Sequence, residues 1–549
     1  MELGKEICER NSHLRNQAAT WRSVWQSISD YVMPRKSEVE EKKTPEVEGW
    51  TDEVYDTTAI RSNFTLAAGQ LNYLTPATER WFEFATDNDA DDEGKAWLNK
   101  ATSLVLEALA RSNFYLEVHE MYLDRGAFGT SNIYVEEGEG GNLRFCSHSI
   151  GSYSVAENHE GIVDTVFREF ELTARQAAQK FGEDELPEKI RKAATGEDPK
   201  GKDTKFKFVH AVYPREDRER GKIDKENKPI ASVYVSVDGQ KVVSESGYDE
   251  MPYMVSRFLK WGDEVYGYSP SIEALPTIRQ TNFIEKQLDA LAEKSAFPPV
   301  LVPDSMEGDV DMRAAGITLF DPNNPNAMPK EWATQGRYDI GRDRCEQKRE
   351  AIKAAYHVDL FSMFAEREKQ MTATEVLELA EEKLVQFSPT FARMIVELFN
   401  PLIERVFGLM FRANRFEDPP KSLMVKTPDG EGLAIPKVEF TSKIALAVKM
   451  LESKSFLQFS ETLKPIAEYD PSVLDNINFD KASRGLARNF SLPADWVRSE
   501  DDVQEMREAR EQQQQALIQA QTAEHTAKAA KTAGDMDPEF RNRLEGAVN

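Results

Sequence analysis

Several short stretches carry residue types that could do chemistry, and each fails on spacing. "GEDPKGKD", Gly196 to Asp203, comes nearest to a phosphate-binding loop. Such a loop cradles phosphates with backbone N–H groups, reaches them with a lysine and holds magnesium with a Ser or Thr hydroxyl. Gly196, Gly201 and Lys202 are correctly spaced, but Asp203 stands where the hydroxyl is required. No strand-like segment precedes it, so a solvated turn is the better account. "DNDADDEG", from Asp87, resembles a calcium loop, yet the turn glycine would fall on Asp92 and the closing glutamate on Leu98. An acidic turn leading into a helix explains it better. "GYSPS" at Gly267 misses the nucleophile-elbow pattern, because Ser271 replaces the second glycine. His119-Glu120 has no second histidine one helical turn on. Cys146 and His148 sit two apart with no second pair, which argues against a metal site. These residues imply no catalytic, metal or cofactor centre. A nucleotide-dependent enzyme using the Gly196 loop stands as the alternative.

One stretch differs in kind. "FSMFAEREKQ" mixes Phe361, Met363 and Phe364 with Arg367, Lys369 and Gln370. It reads either as a helix–helix connection or as a loop projecting toward a charged polymer. The residues alone slightly favour the connection. Just before it, "GRDRCEQKREAIKAAYH" is helical and locally basic. Arg342, Arg344, Lys348, Arg349 and Lys353 stand there against Asp343, Glu346 and Glu350.

The elements that must position these residues fall into zones. Apolar residues recur at helical spacing over 2–33, and Pro34 stops that helix. Helices are also expected at "TAIRSNFTLAAGQLNYL", "DDEGKAWLNKATSLVLEALARS" and "FYLEVHEMYLDRGAFG", the last ended by Gly126 or Gly129. From Ser131 to Lys260 the pattern turns to short strands, with a hairpin signal at Val237-Asp238-Gly239-Gln240 and a helical insert at about 173–194. Ser269-Pro270 supplies a cap and a first-position proline for a helix to about Ala296. Short strands and proline-rich turns then lead to the basic helix. Next comes a long helix from a capping box at Thr372 and Glu375. Pro389 should bend that helix rather than end it, because the apolar stripe continues to Leu398. Such a helix, about 60 Å long at ~1.5 Å per residue, is a strut across a large object. The last helix, about Glu500 to Thr532, has strong helix formers but few large apolar side chains, so it needs neighbours to bury anything. The fold class is α+β.

Bulk properties bound the function. A chain of 549 residues suggests about two to four domains. With 40% hydrophobic and 30% charged residues, it is an ordinary folded composition. Its three cysteines, Cys8, Cys146 and Cys345, imply no disulfide framework. The N-terminal stretch lacks a leader's apolar segment, and no stretch is long enough to span a bilayer. Production in cytoplasm is expected, with no membrane partner. The net charge of −26 argues against a protein that grips phosphates. It is compatible with a surface past which DNA slides, and also with mere solubility.

Seven segments in order make the chain recognisable: "SVWQSISDYVMPR", "YDTTAIRSNFTLAAGQLNYLTPATERWF", "RSNFYLEVHEMYLDRGAFGTSNIYVEE", "VYGYSPSIEALPTIRQTN", "MTATEV", "ELFNPLIERVF" and "DNINFDKASRGLARNFSLPADWVRSEDDV". The chain resembles the portal, or head-to-tail connector, proteins of short-tailed, T7-like bacteriophages over nearly its whole length. Ser388-Pro389 departs from the Gly-Pro common in relatives. The resemblance implies a homo-oligomeric ring, commonly a dodecamer, at one capsid vertex of the virion. It implies no catalytic site and no cofactor. Expected partners are the major capsid and scaffolding proteins, the terminase large subunit, a tail adaptor protein and double-stranded DNA sliding through the channel. It divides the chain into a wing at 1–268, a first stem helix at 269–296, a clip at 297–339 and a second stem helix at 340–358. A tunnel loop at 359–371, a long bent wing helix at 372–419 and a crown region at 420–549 follow. Phe361, Met363, Phe364, Arg367, Lys369 and Gln370 would then face DNA. Arg342, Arg344, Lys348, Arg349 and Lys353 would line the stem channel. A virion scaffold protein without a channel is the other reading kept open.

Overall fold

The computed structural model describes residues 2–34, 54–85, 92–302, 337–365, 385–445, 459–489 and 500–534, apart from short stretches inside these ranges, with Val39, Asn323 and the strand Lys330–Glu331. It is a mixed helix and sheet protein, as the sequence pattern requires. Two compact units divide it, Met1–Val448 and Lys449–Asn549.

In the first unit the expected N-terminal helix is two helices, α1 (Glu2–Gln17) and α2 (Ala19–Val32), parted at Ala18. The break has a packing cause. Ile7 of α1 joins Phe167, Val209, Ala211 and Val233 of a sheet, whereas Trp25, Ile28 and Val32 of α2 join the main core. Helix α3 (Thr58–Leu74) follows its expected bounds. Strand β1 (Phe82–Ala85), α4 (Asp92–Arg111) and α5 (Phe114–Phe128) come next. Helix α5 is buried on every side from Met121 to Phe128, which makes it the central helix. Gly129 ends it with φ +78°, the left-handed cap that glycine adopts freely. Gly126 has a different task, since a Cβ there would meet Asn63 Oδ1 of α3 at 2.2 Å.

Strands β2 (Thr130–Glu137), β3 (Leu143–His148), β4 (Tyr153–Glu157) and β5 (Val163–Thr173) precede three short helices, α6 (Ala174–Phe181), α7 (Glu188–Thr195) and α8 (Pro199–Lys202). Then come β6 (Lys205–Pro214), β7 (Ile230–Ser236), β8 (Lys241–Tyr248) and β9 (Tyr253–Arg257). They form an antiparallel sheet in the order β4-β5-β6-β7-β8 and a second in the order β3-β2-β9. Alternation sorts the larger sheet's faces. Phe206 and Phe208 of β6 point to α6 and α7, while Val209 and Ala211 point to α1. The Asp238-Gly239 turn does join β7 to β8, with Gln240 at φ 49°. In β3, β4 and β9 buried polar residues interrupt the apolar pattern, His148, Ser154 and Arg257 among them.

Helix α9 (Pro270–Ala296) is capped as expected, with Ser269 Oγ accepting from the Ile272 amide at 3.0 Å. It runs through Pro276 without a break. A two-residue ladder of β10 (Val300–Leu301) and β11 (Lys330–Glu331) separates it from α10 (Tyr338–Ala355). Helix α11 (Val358–Ala365) follows, then α12 over 385–394, a π turn at Ile395–Phe399 and α13 (Asn400–Arg412). The π turn sits where Pro401 threatened an interruption. A proline ring clashes with the carbonyl four residues back, here Glu397. The widened turn, closed by the Asn400 amide on the Ile395 carbonyl, lets the helix continue. Strands β12 (Met424–Thr427) and β13 (Gly430–Leu433) pair with each other. Strand β14 (Lys437–Phe440) pairs with β1, so these residues belong to the first unit, which ends at Val448.

The second unit contains α14 over 459–466, a 3-10 turn at Pro471–Asn476, α15 (Phe479–Asn489) and α16 (Glu500–Gly534). Arg507 of α16 pairs with Asp480 of α15 at 2.7 Å.

Candidate functional site: the paired helices and the segment after them

Helices α9 and α10 lie antiparallel. Ser271 meets Tyr356 at 2.6 Å, Lys348 meets Gln280 at 2.6 Å, and Gly341 sits against Leu288. Their inner ends are tied to the core. Ser271 Oγ also bonds the Gly126 carbonyl of α5 at 2.9 Å, and burial pushes the Tyr356 hydroxyl well above the usual tyrosine range. Their outer ends are different. No residue of 289–297 or 338–344 is buried. Phe297 is 82% exposed there, and Leu301, Tyr338 and Ile340 are exposed beside it.

The basic residues of α10 divide into two groups. Arg349 is an internal tie, with Nε on Asp56 at 2.7 Å and Nη2 on Glu285 at 2.5 Å. Asp56 is buried, so this guanidinium neutralises a charge that would otherwise be costly. Lys348 bonds Gln280, and Lys353 bonds Glu350 at 2.6 Å. Arg342 and Arg344 are exposed, Arg342 only 3.9 Å from Asp343. Cys345 is enclosed between the helices; burial, then Glu285, push its thiol up to about 11, which makes it a poor nucleophile.

The segment expected as a loop from 359 starts as helix α11. Phe361 is only 3% exposed. Its ring lies 6.2 Å from Tyr73 and 5.8 Å from Phe387. Gly69 of α3 makes room for it, because a Cβ there would meet the ring at 2.2 Å. Phe361 therefore packs the subunit interior. Met363 and Phe364 lie in α11, but their side chains are outside the described residues, as are Arg367, Lys369 and Gln370. Pro389 lies in α12; residues 371–384, with the capping box at Thr372, are likewise outside the described residues.

Sequence reasoning missed the charged junction that fixes the long helix. Arg257 of β9 is 2% exposed. Its Nη2 meets Glu397 Oε1 at 2.6 Å, its backbone amide meets Glu397 Oε2 at 2.7 Å, and its Nη1 reaches Glu157. Lys260 completes Glu157 at 2.8 Å and Arg393 completes Glu397 at 2.9 Å. Glu397 sits in the π turn, so the widened turn supplies the carboxylate that β9 needs. Beside it, Arg125 of α5 bonds Ser256 Oγ at 3.1 Å and the carbonyls of Arg257 and Thr390. Burial pulls Arg125 down to about 9, still charged at neutral pH. A charge inside an apolar run, as in "MYLDRGAF" or "YMVSRF", was the available signal.

The Gly196 stretch does not have phosphate-loop geometry. Helix α7 precedes it, the four-residue α8 contains Lys202, and strand β6 comes after. Among the described residues no group of three or more His, Cys, Asp or Glu could hold a metal ion. A cleft of about 280 Å³ between α13 and β14 offers one carboxylate, Glu404, held up by burial and then by Glu250. No helix among the described residues is long and apolar enough to cross a membrane.

The described residues thus form an α+β body with one continuous helix over 385–412 and a charged helix pair. Residues 4–497 match the model of the family described as bacteriophage head to tail connecting protein, and the chain belongs to that family. It is 31% identical over 549 residues to the probable portal protein of Bordetella phage BPP-1, covering 98% of this chain and 97% of that one. It is 29% identical over 560 residues to the portal protein of Salmonella phage epsilon15, covering 100% of this chain and 98% of that one. Both relatives are named as portal proteins and neither as an enzyme.

Proposed function

We propose that copies of this chain close into a ring at one capsid vertex, the channel for packaging and ejecting phage DNA. On this reading the ring docks the terminase motor during packaging and the tail adaptor afterwards. The observation that carries it is the outer end of the α9–α10 pair. A helix pair with no buried residue over 289–297 and 338–344 cannot be held by its own subunit's core. Phe297 and Tyr338 exposed at that end favour burial against neighbouring copies. The pair would then be the stem, with 297–339 as the clip. Arg342, Arg344, Lys348 and Lys353 are the charges it can present to a channel. The segment 359–371, with Phe361, Met363, Phe364, Arg367, Lys369 and Gln370, would be the tunnel loop.

Electron microscopy of the purified chain tests this. A ring with a central hole is expected; particles without one would favour a scaffold protein without a channel. The isolated ring should also turn over no ATP. Turnover abolished by Lys202→Ala would promote the enzyme reading instead.

A further inference from the structure

Elsewhere in this acidic chain the enclosed arginines meet acceptors: Arg257 meets Glu397 and Glu157, Arg405 meets Glu250, and Arg215 meets Glu245. Arg168 of β5 is half-buried and has no hydrogen-bond acceptor; its Nε is enclosed and unpartnered. Arg215 and Arg405 also leave an enclosed Nε unmet, but each bonds a carboxylate through Nη1; Arg168 does not, and that needs a cause. It stands where one face of the larger sheet meets the β2–β3 face of the smaller one. Arg168 is directly cross-strand from His210, and His210 from Tyr234. Facing them, Tyr134, Glu136, Arg144, Cys146 and His148 occupy one face of β2 and β3.

A second cation enters from α6. Lys180 Nζ lies 4.7 Å from the Tyr234 ring centre and 5.6 Å from that of Phe170, while Arg168 Cζ is 4.9 Å from the same Phe170 ring. Neither cation makes a salt bridge; Glu136, whose charge also acts on Lys180, is paired with Arg144 at 3.4 Å. The floor supplies a neutral donor. His148 is 4% exposed, its Nδ1 lies 3.6 Å from Cys146 Sγ, and its Nε2 has no partner. With Nδ1 assigned as acceptor from the thiol, Nε2 carries the proton as an unused N–H. His210, by contrast, is satisfied by Tyr253 at 2.7 Å and Ser232 at 3.0 Å, so of the two histidines only His148 has a nitrogen to spare.

We propose that the recess between the two sheets is a phosphate site, with Arg168 and Lys180 as its cations, His148 as a neutral donor, and Phe170 and Tyr234 as its walls. Two unpaired cations match the charge of a phosphate dianion better than that of a single carboxylate. A bound phosphate would bridge β3 of one sheet, β5 of the other and α6, and so would stiffen their junction. The proposal is independent of the ring reading.

Calorimetric titration of sodium phosphate into the full-length protein, in phosphate-free buffer with chloride matched for ionic strength, tests it. Saturable binding in the millimolar range or tighter is expected, with a rise in melting temperature. Arg168→Met should weaken it by about tenfold or more, equivalent to ~1.4 kcal/mol. Lys180→Gln, at an exposed position, decides the matter if Arg168→Met does not fold, and should weaken binding by at least about threefold. Adenosine monophosphate in a parallel titration separates the sources. Affinity equal to or above that of orthophosphate assigns a phosphomonoester, lower affinity assigns free phosphate, and either outcome supports the site. No saturable heat for either ligand up to about 10 mM, or unchanged affinity in the soluble variants, overturns it.

Discussion

A guanidinium survives at 2% exposure only where its charge is answered, and Arg257 shows the terms. Glu397 and Glu157 take its donors, while Lys260 and Arg393 balance the carboxylates. Removing one partner of such a pair strands a buried charge and costs roughly 3–5 kcal/mol, whereas replacing the set by apolar residues of similar volume can be near neutral. Glu397→Ala should therefore destabilise by about that amount in urea unfolding, and Arg257→Leu on top of it should cost much less than a second full loss. Strict additivity would show that the two are not coupled. The enclosed histidines add a pH term. Burial, then Arg168, hold His148 down near 3, and burial holds His210 far below 6.5. The unfolded chain takes up these protons as pH falls below about 6.5 and the native one does not, so stability is full above that pH and declines below it. The decline is about 1.4 kcal/mol per pH unit for each histidine over the window in which only the unfolded state is protonated. Unfolding midpoints between about pH 7 and pH 5 should fall less steeply in His148→Gln than in the wild type. Parallel slopes would remove His148 from the account.

At the scale of elements, α11 rests on α3 through one close approach. Gly69 to alanine gains up to about 1 kcal/mol of helix propensity but drives a Cβ into the Phe361 ring, and overpacking of that kind costs about 1–3 kcal/mol. The clash at 2.2 Å involves a rigid ring, so the net effect of Gly69→Ala should be destabilising. Phe361→Leu in the same chain should recover part of the loss. A neutral or stabilising Gly69→Ala would mean that α11 leaves this seat readily. This contact also shows what the sequence could and could not tell. The strongly periodic or well-capped elements, α3, α5 and α9, were legible with their ends, because Gly129 and Ser269 announce those ends chemically. The β7–β8 turn was legible for the same reason. The packing of Phe361 was not legible, because its neighbours in sequence, Arg367 and Lys369, suggested a polar destination, while its partners Gly69, Tyr73 and Phe387 are distant in sequence. The junction at Arg257 and the recess at Arg168 were invisible for a related reason. Each depends on residues that only the pairing of sheets brings together.

For the whole molecule, the sharpest prediction concerns α16. It runs from Glu500 to Gly534, and its described side chains are almost all exposed, Ile518 at 57% among them. Alanine and glutamine have little apolar area to bury, and burial is worth only about 25 cal/mol per Å². Arg507 pairs with Asp480 of α15 at the surface, and exposed ion pairs contribute little. A helix of this length with so little holding it to its own subunit is stabilised by neighbouring copies or by nothing. Truncation after Ser499 should therefore leave soluble assemblies whose melting temperature is nearly that of the full chain. If the ring reading holds, the loss should appear in function, as a defect in packaging or in the organisation of DNA at the inner end of the channel. Light scattering coupled to size exclusion, thermal melts and a packaging assay on the truncated chain separate the outcomes. Aggregation or failure to assemble would place α16 in the core of the assembly and overturn the division of labour drawn here, in which residues 1–448 carry the fold and the C-terminal helix serves the channel.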